Sequence, residues 1–201
     1  AFLDWVIEQV RGKDVDAVLV AGDVFDTGTP PSHARELYNR FIVALRATGA
    51  RLVVLAGNHD SPAMLGESSQ LLACLDTLVV PTLLQAPEQH VHLVPDRTGK
   101  PGMLLCAVPF IRARDVMRSQ AGQSAEDKRG AMMEGIAAHY AAIHAAAIAQ
   151  RSALGIDLPI VASGHLTTVG ASTTDAVRQI YVGSLSAFPT NAFPPADYIA
   201  L

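Results

Sequence analysis

Apolar residues along this chain follow two spacings. In residues 1–11, Phe2, Val6 and Val10 lie four apart, with Leu3 and Ile7 beside them. That is the period of an amphipathic helix, and Gly12 ends it. Ala17–Ala21 is instead a short, continuous apolar run rich in Val, which predicts a buried strand. It stops at Gly22 and is followed by Asp23 and Asp26. The loop from Thr27 leads to Ser32, an expected N-cap. A helix is predicted from there to about Thr48, with Leu37, Phe41, Ala44 and Leu45 on one face and Gly49 as its stop. A second apolar run, Arg51–Ala56, ends in Gly57-Asn58-His59-Asp60. Ser61-Pro62 suits an N-cap and first helical position, and a helix is expected over Glu67–Leu75.

The pattern then changes. Short strands at 78–80, 90–94 and 103–108, separated by Pro- and Gly-containing turns, predict an antiparallel stretch. Ser124 and Asp127 form a capping-box pattern before a long Ala-rich helix to about Gln150. Met133, Ile136, Tyr140, Ile143 and Ala147 mark its buried face. A third apolar run, Leu158–Ala162, ends in Ser163-Gly164-His165. Loops around one strand at Gln179–Val182 follow, and Asp197–Leu201 reads as another strand. Strands alternating with helices imply an α/β fold, in which sites lie beyond the carboxyl ends of strands.

Composition narrows this picture without redirecting it. The 201 residues suit one domain or most of one, and 50% apolar with 17% charged residues excludes a disordered chain. No apolar run approaches the roughly 20 residues of a membrane span, and no signal segment opens the chain. The cytoplasm is therefore expected. Cys74 and Cys106 match no close-spaced metal motif and read as buried free thiols in a reducing compartment. The net charge of −4 argues against gripping nucleic acid by bulk positive charge. It does not exclude nucleic acid, because two divalent cations would supply positive charge where a phosphate must sit.

Three apolar runs thus end in glycine plus a candidate ligand: Gly22-Asp23, Gly57-Asn58-His59 and Gly164-His165. A carboxylate at a core edge needs a cation or hydrogen-bond donors. Carboxylate, amide oxygen and imidazole together suit a hard or borderline divalent ion. Two such ions stabilise the attacking and leaving oxygens of a phosphoryl displacement. Asn58 and His59 are neighbours and do not easily serve one metal, so Asn58 is the economical ligand and His59 the group facing substrate. The plainer alternative makes Asp23 and Asp26 loop-turn caps and His59 and His165 satisfied structural histidines. His90 and His92 are expected on a solvated strand face, and His139 and His144 at a surface or interface. Met132 and Met133 are expected to pack. Arg112, Arg114 and Arg118 are either phosphate contacts or an ordinary solvated turn.

The ordered set resembles the calcineurin-like metallophosphoesterases. The longer stretches Val20–Ser32, Leu37–Phe41, Val53–Ser61, Gly164–Ser172 and Phe193–Leu201 resemble, within them, nuclease subunits of bacterial exonucleases related to break-repair nucleases. The resemblance implies a four-layer α-β-β-α sandwich carrying two divalent metals, manganese foremost. It implies a DNA nuclease, exo- and endonucleolytic, serving repair, recombination and replication with an SMC-like ATPase partner. It implies homodimers formed through helices near 33–48 and 67–75. Asp23 would bridge the metals, Asn58 and His165 would be ligands, and His59 would be catalytic. Asp26 stands where some relatives place a second histidine. An Asp-x-His on a first strand and a Gly-His-x-His after the last are expected outside these residues, so the nuclease domain, spanning 1–201, is expected to be truncated at both ends. Phosphatase action on small or protein substrates, or a non-catalytic dimerisation or ATPase-binding scaffold, are the alternatives.

Overall fold

Strand parity sorts the apolar runs onto two faces, and this builds the layers. The computed structural model describes residues 1–117, 123–169 and 187–201. In chain order the first elements are α1 (Phe2–Gly12), β1 (Ala17–Val20), α2 (Ser32–Arg46), β2 (Arg51–Leu55), α3 (Pro62–Gly66), α4 (Ser69–Ala73) and β3 (Thr77–Val80). Then follow β4 (Val91–Pro95), β5 (Pro101–Ala107), α5 (Ala113–Val116), α6 (Ala125–Leu154) and β6 (Ile160–Ser163). The described chain closes with β7 (Thr168–Val169), β8 (Phe188–Pro189) and β9 (Tyr198–Ala200).

β1, β2 and β3 form one parallel sheet in that order. A second sheet runs β4-β5-β6-β9, with β4 antiparallel to β5 and the other pairs parallel. In β2, Leu52 and Val54 join a core with Ile7, Val10, Phe41, Ile42 and Leu45 of the helices. Their neighbours Val53 and Leu55 point the other way and meet Leu105 and Ala107 of β5. The alternate β5 residues, Leu104 and Cys106, pack with Ile136, Tyr140, Ile143 and Ala147 of α6. Successive side chains on a strand face opposite ways, so a continuous apolar strand serves two cores at once. The result is helices, sheet, sheet, helix: the expected four-layer α/β sandwich.

The long helix α6 begins as its sequence predicts. Ser124 Oγ accepts the Asp127 N–H at 3.1 Å, and the Asp127 carboxylate accepts the Ser124 N–H at 3.1 Å. Gly155, in a left-handed conformation at φ 64°, ends it. Arg97, in the β4–β5 turn, ties the two sheet systems together. Its side chain donates to the carbonyls of Val10 (2.9 Å) and Val15 (2.8 Å) and to Asp14 Oδ1 (3.1 Å).

Several expectations need correction. The N-cap of α2 is Pro31, and Ser32 is the first helical residue. Leu37, expected in the core, is 45% exposed, while Phe41 and Leu45 are buried. The helix expected over 67–75 is shorter, α4 at Ser69–Ala73, and a separate short helix, α3, precedes it at Pro62–Gly66. His90 lies in a 3-10 turn, Pro87–His90, and is fully buried. Its Nδ1 meets the Ala107 carbonyl (2.9 Å) and its Nε2 accepts the Leu84 N–H (2.9 Å). A neutral imidazole satisfied at both nitrogens is stable in the core. His144 is buried rather than at the surface, and His139 is partly buried with its ring 5.5 Å from that of His90. Cys74 is exposed; only Cys106 is buried, and burial pushes its thiol up to about 12. The strand expected at Gln179–Val182 lies outside the described residues, as does Arg118.

Candidate metal and catalytic centre

The three glycine-ended strands deliver their polar residues to one place. Asp23 follows β1, Asn58 follows β2 and His165 follows β6, so two come from one sheet and one from the other. His165 Nε2 lies 3.0 Å from Asn58 Oδ1 and 3.4 Å from Asp23 Oδ2. His165 Nδ1 is 2.8 Å from the Ala21 carbonyl oxygen. A carbonyl only accepts, so Nδ1 carries a hydrogen and Nε2 is the ring nitrogen turned toward the two oxygens. An imidazole nitrogen, an amide oxygen and a carboxylate oxygen thus meet, a set of donor atoms that suits a hard or borderline divalent ion. The arrangement also has the form of a ligand histidine fixed by a carbonyl behind it. The donor set therefore fits a divalent cation.

That set is small. Among the described residues no group of three or more His, Cys, Asp or Glu is placed to hold a metal ion; Asp23 and His165 supply two such groups and Asn58 the third donor. A complete two-metal cage needs ligands beyond these.

Close backbone approach makes the glycines necessary. Gly22 has φ 110°, and a Cβ there would overlap the His165 ring. A Cβ at Gly57 would overlap the side chain and backbone nitrogen of Asp23. Asp23 itself is left-handed, at φ 49°, an uncommon state outside glycine.

His59 is exposed at the mouth, adjacent to the ligands. Its Nδ1 donates to the Asp26 carbonyl at 2.7 Å, and its backbone N–H donates to Asp23 Oδ1 at 3.1 Å. The Asp26 carbonyl bond, and then the Asp23 charge, hold its imidazolium above the ordinary 6.5, with slight desolvation opposing. Asp26 thus acts through its backbone in this structure; its exposed side chain has no assigned ligand role.

The two candidate substrate arginines separate. The Arg112 guanidinium lies 5.7 Å from the centre of the Phe110 ring, which is 6.2 Å, edge-on, from the His165 ring. Arg112 is thereby stacked at one remove from the centre. Arg114 is exposed and pairs with its neighbour Asp115 at 3.8 Å. Two site residues escape sequence reasoning. Phe110 crosses between sheets, its N–H donating to the Ala56 carbonyl at the end of β2 (2.8 Å). Asp60, visible only as the last letter of Gly-Asn-His-Asp, is 3% exposed and accepts three backbone N–H bonds. Its place in Gly57-Asn58-His59-Asp60 was the available signal for it.

A carboxylate, an amide and an imidazole thus meet at the ends of strands from two facing sheets, with a histidine at the mouth. The chain belongs to the calcineurin-like phosphoesterase family, whose signature matches residues 1–100. More particularly, it is 54% identical over its full length to SbcD, a subunit of the nuclease SbcCD, of Escherichia coli strain K12, covering 49% of that protein. It is 34% identical, over 98% of its length, to the protein of the same name from Rhodobacter capsulatus, again covering 49% of it. A 50-residue stretch, 25% of the chain, is 40% identical to 13% of "DNA double-strand break repair protein Mre11" of Sulfurisphaera tokodaii. The chain spans about half the length of the curated relatives it matches.

Proposed function

We propose that the chain is the metal-binding core of a DNA nuclease that hydrolyses phosphodiester bonds with two divalent cations, manganese foremost. The observation that carries this reading is the convergence of His165 Nε2 on Asn58 Oδ1 (3.0 Å) and Asp23 Oδ2 (3.4 Å), with Nδ1 occupied by a carbonyl. Asp23, Asn58 and His165 would hold metal, Asp23 as the bridging carboxylate. Bound cations would supply Lewis acidity at the scissile phosphate. His59, its Nδ1 engaged by the Asp26 carbonyl, donates toward or orients the leaving oxygen from Nε2. Arg112, stacked on Phe110, is the phosphate-orienting cation; Arg114 has weaker support. Among the described residues three donors are at hand, and a second cation calls for more.

The names of the relatives support a role within a complex, here with an SMC-like ATPase in DNA repair, recombination and replication in the cytoplasm. Among the described residues no helix is long and apolar enough to cross a membrane. Homodimerisation through α2 and α4 is supported by exposed Leu37, Val43 and Leu71 on those helices. The test is manganese-dependent cleavage of linear DNA by the full-length protein and its His59→Ala variant. Loss of the proton-handling group should lower the rate by about 10²–10⁴-fold with metal binding retained. Undiminished cleavage by the variant would remove His59 from the chemistry. Strong action on small phosphoesters with none on DNA would favour the phosphatase alternative.

A further inference from the structure

We propose that Asp60 is a positioning residue which sets the metal affinity of the centre by bracing its two ligand loops from behind. The inference rests on the phosphoesterase reading above and deepens it. Asp23 and Asn58 follow adjacent parallel strands whose pairing stops at Val20 and Val54, short of both loops. Asp60 links the loops beyond that point. Its Oδ2 accepts the N–H of Gly57 (2.8 Å) and of Val24 (3.1 Å), and its Oδ1 accepts the N–H of Phe25 (3.0 Å). One buried carboxylate thus spans both loops.

The exchange is reciprocal. Asp23 Oδ1 accepts the His59 N–H at 3.1 Å, so each loop lends a carboxylate to the backbone of the other. The amides that Asp60 holds on the far loop are the two that follow Asp23. Fixing them there holds Asp23 in its left-handed conformation, φ 49°, which is uncommon outside glycine. That conformation turns the Asp23 carboxylate toward His165, 3.4 Å away. Burial matters as well: three N–H donors to a carboxylate shielded from water form charge-assisted bonds that solvent does not replace. Asp60 touches neither metal nor substrate; its effect passes through Asp23 and Gly57.

An asparagine at 60 keeps the shape and removes one acceptor. Whichever way its amide turns, an NH2 faces at least one backbone N–H, and the brace opens on that side. The test uses the full-length protein, with manganese binding measured by calorimetry and DNA cleavage measured against manganese concentration. Outer-shell partners of metal ligands typically govern about 10–100-fold in metal affinity. Asp60→Asn should therefore raise the manganese midpoint at least about tenfold, with the cleavage rate largely recovered at saturating manganese. Asp60→Glu, which keeps the charge and misplaces it, is the second variant if Asp60→Asn does not fold, and it should raise the midpoint in the same direction. Arg97→Ala is the control for general destabilisation: it removes a large polar staple elsewhere and should leave the midpoint unchanged. A wild-type midpoint in a folded Asp60 variant, or an equal shift in Arg97→Ala, overturns the inference while leaving the phosphoesterase reading intact. Failure of the wild-type protein to bind manganese overturns both.

Discussion

Gly57→Ala tests the packing logic of the centre in its simplest form. Gly57 does not have a positive φ, so alanine brings no backbone strain of its own. What it brings is a Cβ that overlaps the Asp23 carboxylate and, behind it, the Asp23 backbone nitrogen. A flexible side chain would swing aside, but this neighbour is backbone. The amides on either side of the contact are tied to Asp60, at 2.8 Å from Gly57 and 3.1 Å from Val24. The Asp23 loop must move as a unit or the strand end must. Overpacking of this kind costs about 1–3 kcal/mol. At 2–4 °C per kcal/mol for a domain of this size, the melting temperature should fall by roughly 2–12 °C. Gly12→Ala is the matched control, since a Cβ there meets nothing within 4 Å. Replacing glycine at such a position is neutral or stabilises by up to about 1 kcal/mol, so of the two variants only Gly57→Ala should melt lower than wild type. Thermal denaturation without added metal reads the stability, and manganese calorimetry reads the displacement of Asp23. A Gly57→Ala protein that melts no lower than Gly12→Ala, with normal manganese binding, would refute the close approach.

Two further outcomes follow from features away from the centre. Arg97→Ala should cost about 2 kcal/mol, because its guanidinium hydrogen bonds to Val10, Val15 and Asp14 join segments 82 to 87 residues apart. Chemical denaturation reads this, and an unchanged midpoint would show the staple to be idle. His139 is held below its ordinary 6.5 by burial first and the nearby His90 second, with Asp115 opposing. The folded state therefore favours neutral His139, so its contribution is present above the unfolded value and is lost as pH falls through the lowered one. Urea midpoints should drop between pH 7 and 5, and less steeply in His139→Gln; equal slopes would exclude this histidine.

Much of the centre was visible in the chain because its signals are local. A Val-rich run stopped by glycine and followed by a polar residue is a strand-end loop wherever the strand lies, and it happens three times, at Asp23, Asn58 and His165. The face of α6 through Ile136, Tyr140, Ile143 and Ala147 and its Ser124–Asp127 cap were legible for the same reason. Local signals misled where context outweighed them. Leu37 has the right spacing for the core face of α2 but lies on an exposed part of it. His90 fits an alternating strand, yet the Ala107 carbonyl and Leu84 N–H draw it inside. No spacing rule marks Phe110 or Arg97, whose roles depend on which loop of the other sheet passes nearby.

The chain by itself thus determined the α/β class, the strand ends and the chemical types of the polar residues that follow them. Tertiary structure decided which residues of each strand face which core, and that Asp60, adjacent to His59, turns inward as a brace. It also brought His165 to Ala21, 144 residues away, so that one ring nitrogen is occupied and the other is aimed at Asn58 and Asp23. The reason is physical: periodicity and turn chemistry act over a few residues, whereas a ligand's orientation is set by hydrogen bonds whose partners meet only when the two sheets pack.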